Sequence, residues 1–512
     1  MKRRLHIGWL FLLAVLTAGL YSMTIRVFKG LGASTHLSDQ FPWGLWISFD
    51  VLCGVALAAG AFTLSGAVYI LHLDRYKPLV RAAIMTGFIG YLAAIVGLLF
   101  DLGHPYRIWH PLIMWNPHSV MFEISWCVTL YTTVLAVEFS AFVFERLRMT
   151  LAARAALTIT VPLVILGIIL STLHQSSLGS LFLIVPSKLH PLWYSPWLPM
   201  FFFASALAIG CGMVIVESFL SSKAFNMELE VDILSSLGRV LVVVLGVYGI
   251  ARVIDLTDRG VWYLVAVPGF ERCMFLAEVI LAPIGAMVLM MMPNARKNRL
   301  GLFMAGLMTV VGFILNRFNV SMTGLVRASG TKYVPSWMEL SVTLTLVVVA
   351  VGLFAVAART LRIFPDAKPC LEEGQTCKDK PSCCLVTPAK LWILAVWVAA
   401  GMLMVNAVRD FSAYQPSATR SEVGSGVPAS YPALPKAFAF TPSAGSPGPV
   451  VFSHEMHSAF GACADCHAGR FSILPRTSHS GIGRDMHAPE RCGMCHDGNA
   501  VSNECAACHA VP

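Results

Sequence analysis

The sequence predicts an all-α polytopic membrane protein of about eleven spanning helices, followed by a small domain rich in cysteine and histidine. Of the 512 residues, 56% are hydrophobic and only 13% are charged, roughly half the charge of a typical soluble protein. The apolar residues form long blocks, and the last six of the fourteen cysteines form three Cys-x-x-Cys pairs. The net charge of +9 lies in short basic clusters between the blocks, so it does not indicate nucleic-acid binding.

Eleven apolar blocks are long enough to cross a hydrocarbon core of about 30 Å. They lie at residues 5–28, 45–72, 81–100, 119–145, 151–173, 197–221, 233–256, 268–292, 300–316, 337–358 and 390–408. The first block follows three basic residues, as in a signal peptide, but it is too long for one, and we expect an uncleaved anchor.

The basic residues between the blocks predict the orientation. Clusters such as Lys2–Arg4, Arg75–Arg81 and Arg296–Arg299 alternate with loops that carry far fewer Lys and Arg. The positive-inside rule therefore places the N-terminus in the cytoplasm, and an odd number of spans places residue 409 outside. We expect a multi-pass protein of the bacterial cytoplasmic (inner) membrane whose C-terminal domain is extracytoplasmic.

Composition predicts five regions. They are a membrane domain at 1–360, a cytoplasmic loop at 361–389, an additional membrane helix at 390–408, a flexible Pro-, Ser- and Gly-rich linker at 409–450, and the Cys/His-rich domain at 451–512. The cytoplasmic loop holds Cys370, Cys377, Cys383 and Cys384. Four thiols can bind zinc, but this spacing fits no metal pattern, so free thiols are favoured.

The C-terminal domain carries the most specific motif of the chain, Cys-x-x-Cys-His, three times. The motifs pair Cys463 with Cys466 before His467, Cys492 with Cys495 before His496, and Cys505 with Cys508 before His509. Two thiols form thioethers to a haem, and the adjacent histidine binds the iron. Three motifs within 47 residues predict three covalently bound c-type haems, and zinc ribbons or redox dithiols are much less consistent with them.

The segment from Phe452 to His457 resembles the start of small class III multihaem cytochromes, with its Phe-x-His-x-x-His pattern. The resemblance implies that His454 is the sixth ligand of the first haem and His457 that of the last. The middle haem has three candidate ligands, of which His487 is preferred over Met486 and His479. A methionine there would raise the reduction potential.

Ionisable side chains in the membrane region concentrate at the predicted outer rim, where such groups are costly and usually functional. The main candidates are Asp101, His104, Glu123 and His174, and further ones are Asp255 and Glu271. Histidines lie near helix ends or in loops and not as facing pairs at mid-bilayer depth, so we expect no haem b. The deeper acids Glu138, Glu217 and Glu278 fit either a proton path or buried ion pairs.

The segments WNPHSVMFEISWCVTLY and LSTLHQSSLGSLFLIVPSKLHPLWYSPWLPMFF are similar to the NrfD/polysulfide-reductase membrane-subunit family, in its HybB-like hydrogenase branch. The resemblance covers roughly residues 5–360. It implies two four-helix bundles with flanking helices, a quinone site near the outer face and a separate iron–sulfur partner subunit. The eleventh span and the haem domain depart from the family pattern.

A quinol site needs hydrogen-bond partners for two oxygens and a group that accepts protons. We expect His174 and His104 to bind the quinone oxygens, while Asp101 and Glu123 exchange protons. Asp101 and His104 are three residues apart at a helix end, so they are expected to share a face.

These predictions describe a membrane subunit of a respiratory complex that exchanges electrons between menaquinone and an extracytoplasmic partner, such as a cytochrome, hydrogenase or other oxidoreductase. As an enzyme, the predicted protein is a quinol:cytochrome c-type oxidoreductase subunit, and the sequence is consistent with electron flow in either direction. The alternative is a non-catalytic anchor whose haems relay electrons for another enzyme.

Overall fold

A computed structural model describes residues 2–41, 43–186, 188–361, 363–364, 387–414, 438–440 and 450–452. The chain divides into two compact units, Met1–Gln415 and Pro416–Pro512. In the second unit, the described residues form two short antiparallel strands, Phe438–Phe440 and Val450–Phe452, with Phe438 opposite Phe452. The haem motifs, their predicted sixth ligands and the four cysteines of the 361–389 loop lie outside the described residues.

Within the described residues, eleven helices are long and apolar enough to cross a membrane, which confirms the predicted number. In chain order, spans 1 to 11 are Gly8–Lys29, Trp46–Tyr69, Asp74–Asp101, Val120–Arg146, Thr160–Ser180, Leu198–Ala224, Val231–Asp258, Phe270–Met291, Arg299–Ser329, Trp337–Thr360 and Thr387–Ala413. Span 1 is the apolar part of a helix that runs Lys2–Lys29.

Short helices occupy several connections between the spans. They are Leu31–Ser34, Pro105–Arg107, His110–Ile113, Thr150–Thr158, Tyr263–Ala266 and Pro293–Arg296. The apolar block predicted at 151–173 is divided between two helices. Thr150–Thr158 is a separate helix, and span 5 begins at Thr160 with Pro162 in its first turn, where a proline is tolerated.

Two four-helix bundles form the body of the membrane unit, as predicted. Spans 2 to 5 pack together in the first bundle and spans 6 to 9 in the second. Span 10 packs on span 3 and on span 1, and span 11 packs on span 8, so these three are the flanking helices.

Glycines allow span 6 to approach both of its neighbours at the junction of the bundles. A Cβ atom on Gly210 would lie 2.8 Å from the backbone nitrogen of Gly60 in span 2. A Cβ atom on Gly212 would lie 3.2 Å from the backbone oxygen of Gly306 in span 9. Small residues let helix backbones approach closely in membranes, and here they place span 6 at the centre of the fold.

Two spans contain π-helical segments, Trp46–Cys53 in span 2 and Ile280–Ala286 in span 8. Pro283 lies inside the second segment and removes one backbone donor from it. The first segment carries Asp50, whose Oδ2 accepts a hydrogen bond of 2.8 Å from Thr343 in span 10. Such segments are frequent at functional sites.

Candidate functional site

The four main candidate residues divide into two groups. Glu123 and His174 lie on the adjacent spans 4 and 5 of the first bundle. Asp101 ends span 3 on the side of span 1, and His104 lies in the following loop. None of the four forms a hydrogen bond with another within the described residues.

His174 is wholly buried, with no exposed surface. Its Nδ1 lies 2.9 Å from the hydroxyl of Tyr91 in span 3, and the Tyr91 ring packs edge-on against Tyr131. Its Nε2 has no hydrogen-bond partner among the described residues. The sequence argument had placed His174 near a helix end. That was wrong, because span 5 continues for six more residues to Ser180.

Glu123 and Ser177 connect spans 4 and 5 one helical turn above His174. The Ser177 hydroxyl donates a hydrogen bond of 2.6 Å to Oε1 of Glu123. Glu123 lies in the first turn of its helix, after the cap Ser119, and is exposed. Because residues three apart share a helix face, Ser177 and His174 lie on the same side of span 5, with the Glu123 carboxylate held at Ser177.

Asp101 is held beside Arg26 of span 1. Arg26 donates hydrogen bonds of 2.6 Å and 2.5 Å to the backbone oxygens of Phe100 and Leu102. The Oδ1 atom of Asp101 is buried and has no hydrogen-bond partner in the described part of the chain.

The expectation that Asp101 and His104 share a helix face was wrong. The helix ends at Asp101, and Leu102 is already extended with ψ of 126°. His104 precedes Pro105, and a residue before proline is disfavoured in helical conformation. His104 is exposed, and its Nδ1 lies 3.4 Å from the Tyr106 hydroxyl.

In the second bundle, three of the acids have several donors or an ion-pair partner. Glu278 accepts hydrogen bonds from Trp193, Asn316 and Asn319. Asp255 accepts from Arg252, Arg259 and the Ser195 hydroxyl, and Glu271 forms an ion pair with Arg327. Asp255 and Glu271 therefore hold loops against the bundle, which weakens their candidacy for the quinone site.

Arg317 is a buried cation within span 9. It is 1% exposed, donates to the Phe202 carbonyl at 3.0 Å and the Ser205 hydroxyl at 2.8 Å, and lies 3.6 Å from the Phe202 ring centroid. Its Nε and Nη1 atoms lack hydrogen-bond partners among the described residues.

Sequence analysis missed Tyr91 and Ser177, the direct neighbours of the candidate pair. Ser177 had a detectable signal, because Ser171, His174 and Ser177 recur at three-residue spacing along one helix. Tyr91 had no such sequence signal, since it is one aromatic residue in an apolar span and its role depends on tertiary packing.

Comparison with known families agrees with this architecture. Residues 33–328 match the model of the family described as polysulphide reductase, NrfD. The chain belongs to the NrfD family. Residues 450–510 of this NrfD protein match cytochrome c7 and related cytochrome c, which supports the predicted c-type haems.

Similar curated proteins cover most of the membrane unit. A protein of Nitratidesulfovibrio vulgaris Hildenborough is 38% identical over 69% of this chain and 94% of its own length. The probable Ni/Fe-hydrogenase 2 b-type cytochrome subunit of Escherichia coli K12 is 32% identical, over 67% and 88%. The menaquinone reductase integral membrane subunit of N. vulgaris is 28% identical, over 68% and 89%.

The name of the E. coli relative contradicts the expectation that the membrane part lacks haem b, because that relative is a b-type cytochrome subunit. The expectation was drawn from the absence of facing histidine pairs at depth. The same reasoning took His174 to lie near a helix end, whereas the His174 side chain is completely buried in the structure.

Proposed function

We propose that this NrfD protein is the membrane subunit of a quinone-linked oxidoreductase, in which quinol oxidation or quinone reduction is coupled to three c-type haems. In the oxidative direction, quinol would give up two electrons, for which bound haems would be the acceptors, and two protons, which carboxylates of this chain would accept, and it would leave as quinone. The reverse direction uses the same groups.

The unpartnered Nε2 of His174 carries the proposal. A buried polar atom without a partner is costly, by about 1–3 kcal/mol, and a bound ligand that completes the bond removes this cost. A quinone oxygen is such a ligand. The buried acids Glu278 and Asp255 in the second bundle, by contrast, have full sets of donors.

We assign the roles as follows. His174 binds one quinone oxygen, and Glu123 accepts or returns a proton beside Ser177, whose hydroxyl it already binds. His174 is wholly buried, so a headgroup reaches Nε2 only when the side chains above it move. Asp101, with its unpartnered Oδ1, remains a proposed proton-exchanging group, and His104 a proposed ligand at the rim.

The haem ligands remain those proposed from the sequence. His467, His496 and His509 would bind the three irons, with His454, His457 and His487 as the sixth ligands, and Met486 or His479 as the alternatives to His487. Bound haem supplies one-electron transfer, and the chain's own part is to hold each iron through its paired histidines.

The partners and location follow from the proposed reaction. The chain lies in the bacterial inner membrane with the haem domain outside, and exchanges electrons with an extracytoplasmic cytochrome, hydrogenase or other oxidoreductase. A separate iron–sulfur subunit is a further proposed partner. The printed names of the N. vulgaris and E. coli relatives, a menaquinone reductase and a hydrogenase subunit, support the quinone and the redox partner.

The decisive experiment follows the haem α-band after a menaquinol analogue is added to the purified full-length protein. We expect rapid haem reduction that a quinone-site inhibitor stops. His174→Ala and Glu123→Gln should slow it about 100-fold or more with the haem content unchanged. His72→Asn is the matched control, since His72 is exposed with φ of 53°, a conformation that asparagine tolerates.

Two outcomes would contradict the proposal. Haems that reduce with dithionite but never with quinol, in the protein together with its partner subunits, would identify the membrane unit as an anchor. Full activity in His174→Ala would show that the quinone binds elsewhere in the protein.

A further inference from the structure

Tyr91 is the only described residue that forms a hydrogen bond with the His174 side chain, through Nδ1 at 2.9 Å. Both residues are buried, with Tyr91 1% and His174 0% exposed. In a neutral imidazole, one ring nitrogen carries hydrogen and the other accepts, and the partner of one nitrogen decides the state of the other. Tyr91 therefore controls what the unpartnered Nε2 can offer a ligand.

We propose that Tyr91 is a positioning residue that fixes His174 as a hydrogen-bond donor to the quinone, an inference that rests on the proposed function. A buried phenol requires an acceptor for its hydrogen, and the Nδ1 atom of His174 stands at hydrogen-bond distance. When the Tyr91 hydroxyl donates to Nδ1, the imidazole hydrogen lies on Nε2. His174 then donates to a quinone carbonyl oxygen.

In this arrangement His174 and Glu123 have different roles. A neutral imidazole with hydrogen on Nε2 cannot accept the proton of a quinol hydroxyl, so His174 binds and orients the ring. The two protons of a quinol would then go to carboxylates, and Glu123, which binds Ser177 from the adjacent span 4, is the candidate on that side. The Nε2–H group donates to a quinone carbonyl, and it can also donate to the oxygen of a quinol hydroxyl.

Tyr91→Phe tests the proposal because it removes only the hydroxyl. We expect a KM for the quinone about tenfold higher, equivalent to the loss of one hydrogen bond of about 1.4 kcal/mol, with a much smaller change in kcat. Tyr131→Phe is the matched control. Its ring lies 4.8 Å from that of Tyr91 in the same bundle, but its hydroxyl makes no hydrogen bond with His174, and its KM should stay within about twofold.

A spectroscopic measurement reports the tautomer directly. In the ¹⁵N-histidine-labelled full chain, we expect His174 to show a protonated Nε2 and an accepting Nδ1, and Tyr91→Phe should alter this pattern while Tyr131→Phe should not. Equal KM values in the two tyrosine variants, or a protonated Nδ1 in the unmodified protein, would overturn the inference.

The same series separates this inference from the proposed function. If His174→Ala retains quinol-dependent haem reduction, the quinone site itself is misplaced. If His174→Ala abolishes it and Tyr91→Phe leaves the quinone KM unchanged, the site stands and only the role of Tyr91 is wrong.

Discussion

The indole nitrogen of Trp193 donates to both carboxylate oxygens of Glu278, at 3.3 Å and 3.2 Å. Trp193 belongs to the loop between spans 5 and 6, and Glu278 lies within span 8. Asn316 and Asn319 of span 9 complete the set, at 3.1 Å and 2.6 Å. One carboxylate thus connects a loop and two helices, and every donor around it is an N–H group.

Glu278→Gln should destabilise the membrane unit, although the two side chains have nearly the same shape. An amide would direct N–H groups at N–H donors on one side, and each buried donor left without an acceptor costs about 1–3 kcal/mol. Thermal unfolding in detergent measures the change. Asp410→Asn, which breaks only a surface pair of 3.7 Å, should cost less than about 1 kcal/mol, and equal losses would refute the explanation.

Gly210→Ala should prevent the two bundles from closing. The added methyl carbon would lie 2.8 Å from the Gly60 nitrogen and 2.9 Å from the Ala59 carbonyl carbon, which are backbone atoms that cannot turn aside. We expect a loss of about 2 kcal/mol or more, measured as a lower melting temperature and a lower yield of folded protein.

Gly352→Ala is the matched control for this test, because a Cβ atom there would have no neighbour within 4 Å. It should be neutral or slightly stabilising, since alanine favours a helix by about 1 kcal/mol over glycine. A Gly210→Ala protein as stable as this control would contradict the close approach of spans 2 and 6.

His190 should make the loop between spans 5 and 6 sensitive to acid. Burial lowers its pKa, and nearby Arg327 acts in the same direction while Glu271 opposes both. Its Nδ1 also accepts a hydrogen bond from the Leu192 backbone, which the protonated ring cannot do. Because the unfolded chain then binds more protons, stability is complete above the ordinary histidine pKa of about 6.5 and falls as the pH drops below it.

Melting temperatures between about pH 8 and pH 5 test this dependence against His190→Gln, which cannot be protonated. The melting temperature of the unmodified protein should fall relative to that of His190→Gln as the pH drops. A difference in melting temperature that stays constant across this pH range would show that His190 does not cause the acid sensitivity.

The three cysteine–histidine motifs predict three haems per chain. Pyridine-haemochrome analysis of the intact protein should give a ratio of three, and replacing both Cys492 and Cys495 by alanine should give two. Replacing Cys53 and Cys211, which are free and buried in the membrane unit, should leave the ratio unchanged. A ratio that stays at three in the Cys492/Cys495 variant would refute the assignment of that motif.

The sequence was sufficient for the number of spans because uninterrupted apolar length is a strong local signal, and the two bundles were expected from the family resemblance. It failed at the end of span 3. Local spacing placed Asp101 and His104 on one face, but Pro105 ends the helical geometry before His104. It also could not predict the pairing of Tyr91 with His174, because that contact joins residues 83 positions apart through tertiary packing.

The glycine contact between spans 2 and 6 also has a consequence for biosynthesis. Gly60 and Gly210 are separated by 210 − 60 = 150 residues, so a ribosome adding about 5–20 residues per second needs roughly 8 to 30 s to make the second after the first. During that interval the face of span 2 around Ala59 and Gly60 lacks the helix that packs against it. A nascent chain stalled before span 6 therefore leaves this face uncovered, and span 6 is the segment whose insertion covers it.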